Sequence, residues 1–103
     1  MKLVVIESPY AGDVEANVRY ARQCLKDSLM RGEAPLASHL LYTQVLDDTD
    51  KDQRHMGMEA GFAWNAKADL VAVYRDYGVT PGMQFGINRA KELGIMVEYR
   101  EIL

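Results

Sequence analysis

Apolar residues in this chain fall into short runs separated by longer stretches with helical spacing. Residues 2–6, Lys-Leu-Val-Val-Ile, form a short β-branched run, which is typical of a strand buried on both faces of a parallel sheet. The strongest run is 68–74, Ala-Asp-Leu-Val-Ala-Val-Tyr, and the last is 95–99, Ile-Met-Val-Glu-Tyr. A weaker strand is predicted at 33–37, where Pro35 suits the first position of a strand rather than the middle.

Three amphipathic stretches between these runs predict helices. In residues 13–31, apolar side chains recur at steps of three and four, at Val14, Val18, Ala21, Leu25 and Leu29. A second helix is predicted from residue 50 or 51 to 67, and a third from about 81 to 93. Asp13 and Thr80 are the expected N-caps of the first and third helices.

The predicted element order is β-α-β-α-β-α-β with short connections. Right-handed crossovers between parallel strands then give an α/β fold with a four-stranded parallel sheet in the order 2-1-3-4 and helices on both faces. This is a three-layer, Rossmann-like or flavodoxin-like arrangement. The 103 residues suffice for one such domain, 1–103.

Three loops are expected to meet at the carboxyl edge of this sheet, where ligands bind in open α/β folds. They are residues 7–12, 38–42 and 76–82. Tyr10 suits stacking on a base or hydrogen bonding to a sugar. His39 suits phosphate binding or proton transfer, although a lone histidine more often has a structural role.

Charged and capping groups in these loops give further candidates. The carboxylates of Glu7 and Asp76 suit ribose hydroxyls. The segment Thr80-Pro81-Gly82 presents backbone N–H groups at a helix N-terminus, which is either an anion site or simply a well-formed helix start.

Composition changes the picture mainly by exclusion. The hydrophobic fraction of 49% and charged fraction of 26% are typical of soluble globular domains. The net charge of −3 disfavours a nucleic-acid partner, and no apolar run approaches the roughly 18 residues of a membrane span. Because a strand begins at once, no signal peptide is expected. The single cysteine, Cys24, fits a reducing cytoplasm and is expected in or near the core, and no cofactor is expected.

Two local features have two interpretations each. Residues 47–52 carry four aspartates, which suit a metal loop or a solvated turn before a helix; we favour the turn, because the spacing does not match a calcium loop. Gly57 and Gly61 lie on the second helix, where each costs about 1 kcal/mol relative to alanine. Close packing or an approaching ligand must compensate. Along one side of this helix lie Met56, Glu59, Ala60, Ala63 and Trp64, flanked by Phe62.

Three blocks of the sequence resemble one known superfamily. They are Ser8-Pro9-Tyr10 followed by Asn17, the stretch from Trp64 through 68–73, and Thr80-Pro81-Gly82-Met83-Gln84-Phe85-Gly86-Ile87 with Ala90. In order and spacing they resemble the nucleoside 2-deoxyribosyltransferase-like superfamily, closest to a small uncharacterised family common in phages and bacteria. The resemblance implies a nucleoside or nucleotide pocket at the carboxyl edge. It also implies homo-oligomers, dimers or higher, in which a neighbouring subunit helps to close the site.

The resemblance also locates the chemistry, and this chain departs from it. Enzymes of the superfamily carry a glutamate nucleophile in a Gly-x-x-x-Glu block that opens the third helix, and a second carboxylate on the second helix. The corresponding positions here are Gly86 and Gly61, which are expected to enlarge the pocket. Glycine cannot form a glycosyl-enzyme intermediate. Glu59, Glu7 and Asp76 are therefore the remaining candidate catalytic carboxylates.

Three functions remain open. The chain either binds or sequesters a nucleotide, such as an ADP-ribose-like or cyclic nucleotide, or cleaves or transfers N-glycosidic bonds with a relocated carboxylate, or serves as an interaction protein. The expected partner is a small molecule, without nucleic acid or membrane, in the cytoplasm, which is the host's if a phage encodes the chain. The expected ligand-binding residues are Glu7, Ser8, Pro9, Tyr10, Asn17, His39, Asp76, Thr80, Pro81, Gly82 and Met83.

Overall fold

A computed structural model describes all residues, 1–103, and shows a four-stranded parallel sheet with helices on both faces. The strand order is β2-β1-β3-β4, which confirms the predicted topology. The strands are β1 (Leu3–Glu7), β2 (Ala34–Leu36), β3 (Leu70–Tyr74) and β4 (Met96–Arg100). The helices are α1 (Val14–Met30), α2 (Ser38–Leu41), α3 (Lys51–Asn65) and α4 (Pro81–Glu92).

Side chains of the two central strands alternate between two apolar clusters, one on each face of the sheet. On one face, Val4 and Ile6 of β1 pack with Tyr20 and Cys24 of α1. On the other, Val5 packs with side chains of β3 and α4. Because β1 and β3 are covered on both sides, their continuous apolar sequence is what a central parallel strand requires.

Cys24 belongs to the core on the α1 face and is fully buried. Burial raises the pKa of its thiol to about 12, so the thiol stays protonated near neutral pH. The cysteine is therefore a packing residue, as its place in the helical pattern predicts.

The helix starts follow the capping rules. The Asp13 carboxylate accepts a hydrogen bond from the backbone N–H of Ala16 at 3.2 Å, and Thr80 Oγ1 accepts from that of Met83 at 3.2 Å. Pro81 occupies the first turn of α4, where its missing N–H leaves no bond unmade. Both predicted N-caps are confirmed.

Residues 38–46 differ from the sequence prediction, which treats 38–42 as a loop. They form the short helix α2 and a 3₁₀ turn over Tyr42–Gln44. Thr43 Oγ1 donates to the backbone oxygen of His39 at 2.7 Å, and Trp64 Nε1 donates to the hydroxyl of Tyr42 at 2.7 Å. This segment is therefore folded and tied to α3.

The acidic stretch serves the turn that precedes α3. Asp47 accepts hydrogen bonds from both the hydroxyl and the backbone N–H of Thr49, and these bonds lower the pKa of Asp47. Asp50 caps α3 by accepting from the backbone N–H groups of Asp52 and Gln53. No cluster of three or more potential metal ligands forms anywhere in the chain.

Helix α3 turns its glycines toward the rest of the protein. Gly61 and Asn65 are its buried residues, whereas Met56 and Trp64 are exposed to solvent. None of the four helices combines the length and the apolar character needed to cross a membrane.

Candidate functional site

A cavity of about 340 Å³ opens at the carboxyl edge of the sheet. Its walls come from the end of β1, from α2 with the following turn, from α3, and from the first turn of α4. The position is the crevice beyond the strand ends where open α/β sheets bind ligands. Eight of the residues expected to bind ligand line it, namely Glu7, Ser8, Tyr10, His39, Thr80, Pro81, Gly82 and Met83.

Two other expected ligand residues, Pro9 and Asn17, do not line the cavity. Pro9 is a buried residue of the loop 7–12. The Asn17 amide donates to the backbone oxygens of Tyr10 at 2.9 Å and Ala11 at 3.1 Å. Asn17 therefore holds the loop that carries Tyr10.

Asp76 also lies outside the cavity and fastens the C-terminus. Its carboxylate accepts hydrogen bonds from the hydroxyl of Tyr20 at 2.5 Å and from the backbone N–H groups of Ile102 at 3.0 Å and Leu103 at 2.8 Å. Burial alone would raise the pKa of Asp76, but these hydrogen bonds lower it overall. The carboxylate of Asp76 therefore has a structural role.

Glu59 is likewise outside the cavity, on the exposed side of α3. It lies 3.7 Å from the guanidinium of Arg89 on α4, and both side chains are about half exposed. Of the three candidate catalytic carboxylates, the structure brings only Glu7 to the cavity.

Glu7 ends β1, and its carboxyl group lies against Gly86 of α4. A Cβ atom added at Gly86 would lie 2.6 Å from the Glu7 carboxyl carbon and closer still to one oxygen. Burial raises the pKa of Glu7 to about 8, so the carboxyl is mostly protonated at neutral pH. A protonated carboxyl can donate as well as accept, and it can supply a proton to a ligand.

Ser8 and His39 form a pair in the same cavity. Ser8 Oγ lies 2.6 Å from His39 Nε2, and the serine is buried. Burial lowers the pKa of His39 to about 4, so the imidazole is neutral at pH 7. The pair therefore offers hydrogen-bonding groups without charge.

Neighbouring side chains occupy the space that a Cβ would need at Gly61 and Gly86, the positions at which the resemblance implies carboxylates. Next to Gly61, an added Cβ would lie 2.7 Å from Ser38 Oγ, and next to Gly86 the Glu7 carboxyl already fills the space. At Gly57 the nearest atom is Leu46 Cδ1 at 3.3 Å. Close packing of α3 on the 38–46 segment accounts for Gly57 and Gly61.

Sequence reasoning considered a ligand beside Gly57 and Gly61 of α3, but it did not name Gln53 or Asn65 as lining residues. Gln53, Gly57, Gly61 and Asn65 all line the cavity at steps of four residues. This small and polar stripe is the signal for a helix face turned toward a pocket. Two apolar residues of α3, Met58 and Phe62, line the cavity beside this stripe.

The cavity lining includes one permanently cationic side chain. Arg54 is the only lysine or arginine there, and it forms no salt bridge within the chain. Asp48 lines the same cavity. With Glu7 and His39 both uncharged near pH 7, the charged groups of the lining are the guanidinium of Arg54 and the carboxylate of Asp48.

Solved structures with the same fold act on nucleosides and nucleotides. A 2-deoxyribosyltransferase from Bacillus psychrosaccharolyticus superposes with a TM-score of 0.69 at 16% identity, covering 96% of this chain and 72% of that one. A CMP N-glycosidase from Clostridium botulinum gives 0.59 at 15%, covering 97% and 71%. A 2-deoxyribosyltransferase from Leishmania mexicana gives 0.54 at 17%, covering 98% and 65%, so this chain spans just under two thirds of it.

Sequence comparison gives a family but no characterised relative. A search of curated proteins found no match. The family model described as "Domain of unknown function (DUF7768)" matches residues 2–100. With a match over nearly its whole length, this chain belongs to the DUF7768 family, and its α/β fold is the one found in deoxyribosyltransferases.

Proposed function

We propose that this chain binds a nucleoside or nucleotide in the carboxyl-edge cavity. The observation that supports the proposal is the cavity itself, whose lining includes eight of the expected ligand residues in a fold shared with nucleoside-processing enzymes. Tyr10 supplies an aromatic face for a base. Glu7, Ser8 and His39 supply uncharged hydrogen-bonding groups for hydroxyls or ring nitrogens.

The guanidinium of Arg54 favours a ligand with a phosphate over a free nucleoside. A free arginine at a cavity suits a phosphate because its N–H groups match the phosphate oxygens. Gly86 removes the helix-borne carboxylate that superfamily enzymes use, so we favour binding or sequestration, with an ADP-ribose-like or cyclic nucleotide as the ligand. Self-association and a cytoplasmic location remain part of this proposal, on the resemblance alone.

A thermal-shift screen with nucleosides, nucleotides and ADP-ribose derivatives tests this proposal, with each ligand recovered and checked by chromatography. A ligand at about 100 times its dissociation constant adds roughly 2.7 kcal/mol of stability. We expect a stabilising nucleotide to be recovered intact. Arg54→Gln should weaken its binding, whereas Lys51→Gln, the same kind of change outside the cavity, should not. If no ligand shifts the melting temperature, the interaction-protein alternative is favoured.

A second candidate function is N-glycosidic cleavage by Glu7. The carboxyl of Glu7 fills the space beside Gly86, the position at which the resemblance places the glutamate nucleophile. In this reaction the Glu7 carboxylate attacks the anomeric carbon while the C–N bond breaks, and the base leaves with the bonding electrons and takes up a proton. Water then hydrolyses the glycosyl ester and releases Glu7.

Release of free base from nucleotides separates this second function from simple binding. Glu7→Gln should abolish release, because an amide is not a nucleophile of this kind, while ligand binding persists. Because the attacking form is ionised, the rate should rise with pH toward about 8. Glu59→Gln, outside the cavity, is the matched control and should retain full activity.

A further inference from the structure

Asn65 carries the only buried side-chain polar atom in this protein that has no hydrogen-bond partner. The residue ends α3, lines the cavity and is 1% exposed. A buried carbonyl without a donor is costly, and native structures keep few of them. The unused atom, Oδ1, therefore calls for a reason.

The amide orientation is fixed by its other contact. Asn65 Nδ2 lies 3.5 Å from the backbone oxygen of Gly86. A carbonyl oxygen can only accept, so exchanging the amide oxygen and nitrogen would bring two acceptors face to face. At 3.5 Å even this bond is at the limit of useful length, so most of the hydrogen-bonding capacity of the amide is unspent.

The surroundings of Asn65 define what would satisfy it. Glu7 and Asn65 both contact Gly86, so the two side chains reach the same part of the cavity. Ser8 and His39 add a hydrogen-bonded pair to this lining. The cation, Arg54, lies near the start of α3, about three turns from Asn65 along the helix. A group that docks beside Asn65 is therefore polar, uncharged and a hydrogen-bond donor.

We propose that Asn65 is a ligand-recognition residue whose Oδ1 accepts a hydrogen bond from an uncharged N–H or O–H group of the bound ligand. The inference rests on the proposed nucleotide-binding function and assigns a polarity to it. The uncharged donor-bearing part, a base edge or a sugar hydroxyl, lies beside Asn65, and the anionic part lies toward Arg54. The unsatisfied carbonyl costs the empty protein some stability. When the ligand binds, its donor group satisfies the carbonyl.

The test compares Asn65→Leu with the wild type in two measurements. The first is the melting temperature of the empty protein. Leucine has the same branched side-chain shape and number of heavy atoms as asparagine and no polar group, so the variant should melt no lower than the wild type. The second is calorimetric titration with AMP, ADP-ribose, cyclic AMP and cyclic GMP, where Asn65→Leu should weaken the tightest of these by about tenfold or more. Asn88→Leu, outside the cavity, should change nothing.

Every outcome bears on the inference. If Asn65→Leu binds the nucleotide as tightly as the wild type, Asn65 does not recognise it and the inference is wrong. If the empty variant melts several degrees lower, Oδ1 has a structural partner and the inference is again wrong. If the wild type binds none of the four nucleotides, the proposed function fails. In that case, a melting temperature of Asn65→Leu at or above the wild-type value still supports an unsatisfied ligand-binding carbonyl.

Discussion

At the scale of single residues, the site depends on the contact between Glu7 and Gly86. Gly86 has no side chain because the Glu7 carboxyl occupies the space that a Cβ would need. Glu7 is uncharged near neutral pH because the same enclosure removes water from it. A change in either residue is therefore felt by the other.

The buried carboxyl of Glu7 should make the protein less stable as pH rises. In the unfolded chain Glu7 ionises near pH 4.5, whereas in the folded protein it ionises near pH 8. Between these values the folded state binds the extra proton, so stability falls by about 1.4 kcal/mol per pH unit. Glu7→Gln, which has no proton to lose, should remove this slope. Urea unfolding of both proteins from pH 6.5 to 8 measures it.

The titration of His39 sets the lower limit of that pH range. Its pKa is lowered to about 4, so its contribution to stability rises with pH up to about 6.5 and is constant above that value. Above pH 6.5 the difference between wild type and Glu7→Gln therefore isolates Glu7. Parallel stability curves for the two proteins would show that the carboxyl is ionised in the fold at neutral pH.

At the scale of elements, the sequence predicted what periodic apolar residues and caps specify. Local patterns of Val, Ile and Leu mark the four strands and the three long helices, and Asp13, Asp50 and Thr80 stand at the helix starts. The strand order follows from right-handed crossovers between parallel strands. The loops at the carboxyl edge follow from the strand ends. Helix α2 was missed because it has four residues and no side-chain cap.

The α3 wall of the cavity was predicted only in part. Gly57 and Gly61 stand out in the sequence because glycine is costly inside a helix, whereas Gln53 and Asn65, which also line the cavity, carry no such signal. Likewise the Glu7–Gly86 contact joins residues far apart in the sequence. Such contacts depend on how two elements pack and leave no pattern in either one.

The packing of α3 on α2 should be intolerant of a methyl group at Gly61. Alanine favours a helix by about 1 kcal/mol over glycine, but here its Cβ would lie 2.7 Å from Ser38 Oγ and 3.2 Å from Ser38 Cβ. Overpacking of this kind costs about 1–3 kcal/mol, so Gly61→Ala should lower the unfolding free energy despite its helix propensity. Denaturant unfolding measures the change.

Gly57→Ala is the matched control for this packing. Its Cβ would meet the end of the flexible Leu46 side chain at 3.3 Å, which can move aside at small cost. We expect Gly57→Ala to be clearly less destabilising than Gly61→Ala. Equal or greater stability of Gly61→Ala relative to wild type would mean that α2 moves freely away from α3.

At the scale of the whole molecule, one buried arginine ties the two edges of the sheet together. Arg100 ends β4 at one edge, and its guanidinium makes two 2.8 Å hydrogen bonds to Glu33, which precedes β2 at the other edge. It also donates to Glu98 and to the hydroxyl of Tyr74 at 3.0 Å. The guanidinium holds the pKa of Glu33 below its usual range.

Arg100→Met should therefore destabilise the fold strongly, by about 3–5 kcal/mol, since it leaves the Glu33 carboxylate enclosed without its partner. The Arg100 side chain is 3% exposed, so added salt should barely screen the loss. Arg75→Met is the control, because the Arg75–Glu101 pair is about half exposed and worth less than about 1 kcal/mol. Adding Glu33→Gln to Arg100→Met should restore part of the stability in urea unfolding. If Arg100→Met is no worse than Arg75→Met, the buried network contributes no net stability and apolar packing alone joins the edges of the sheet.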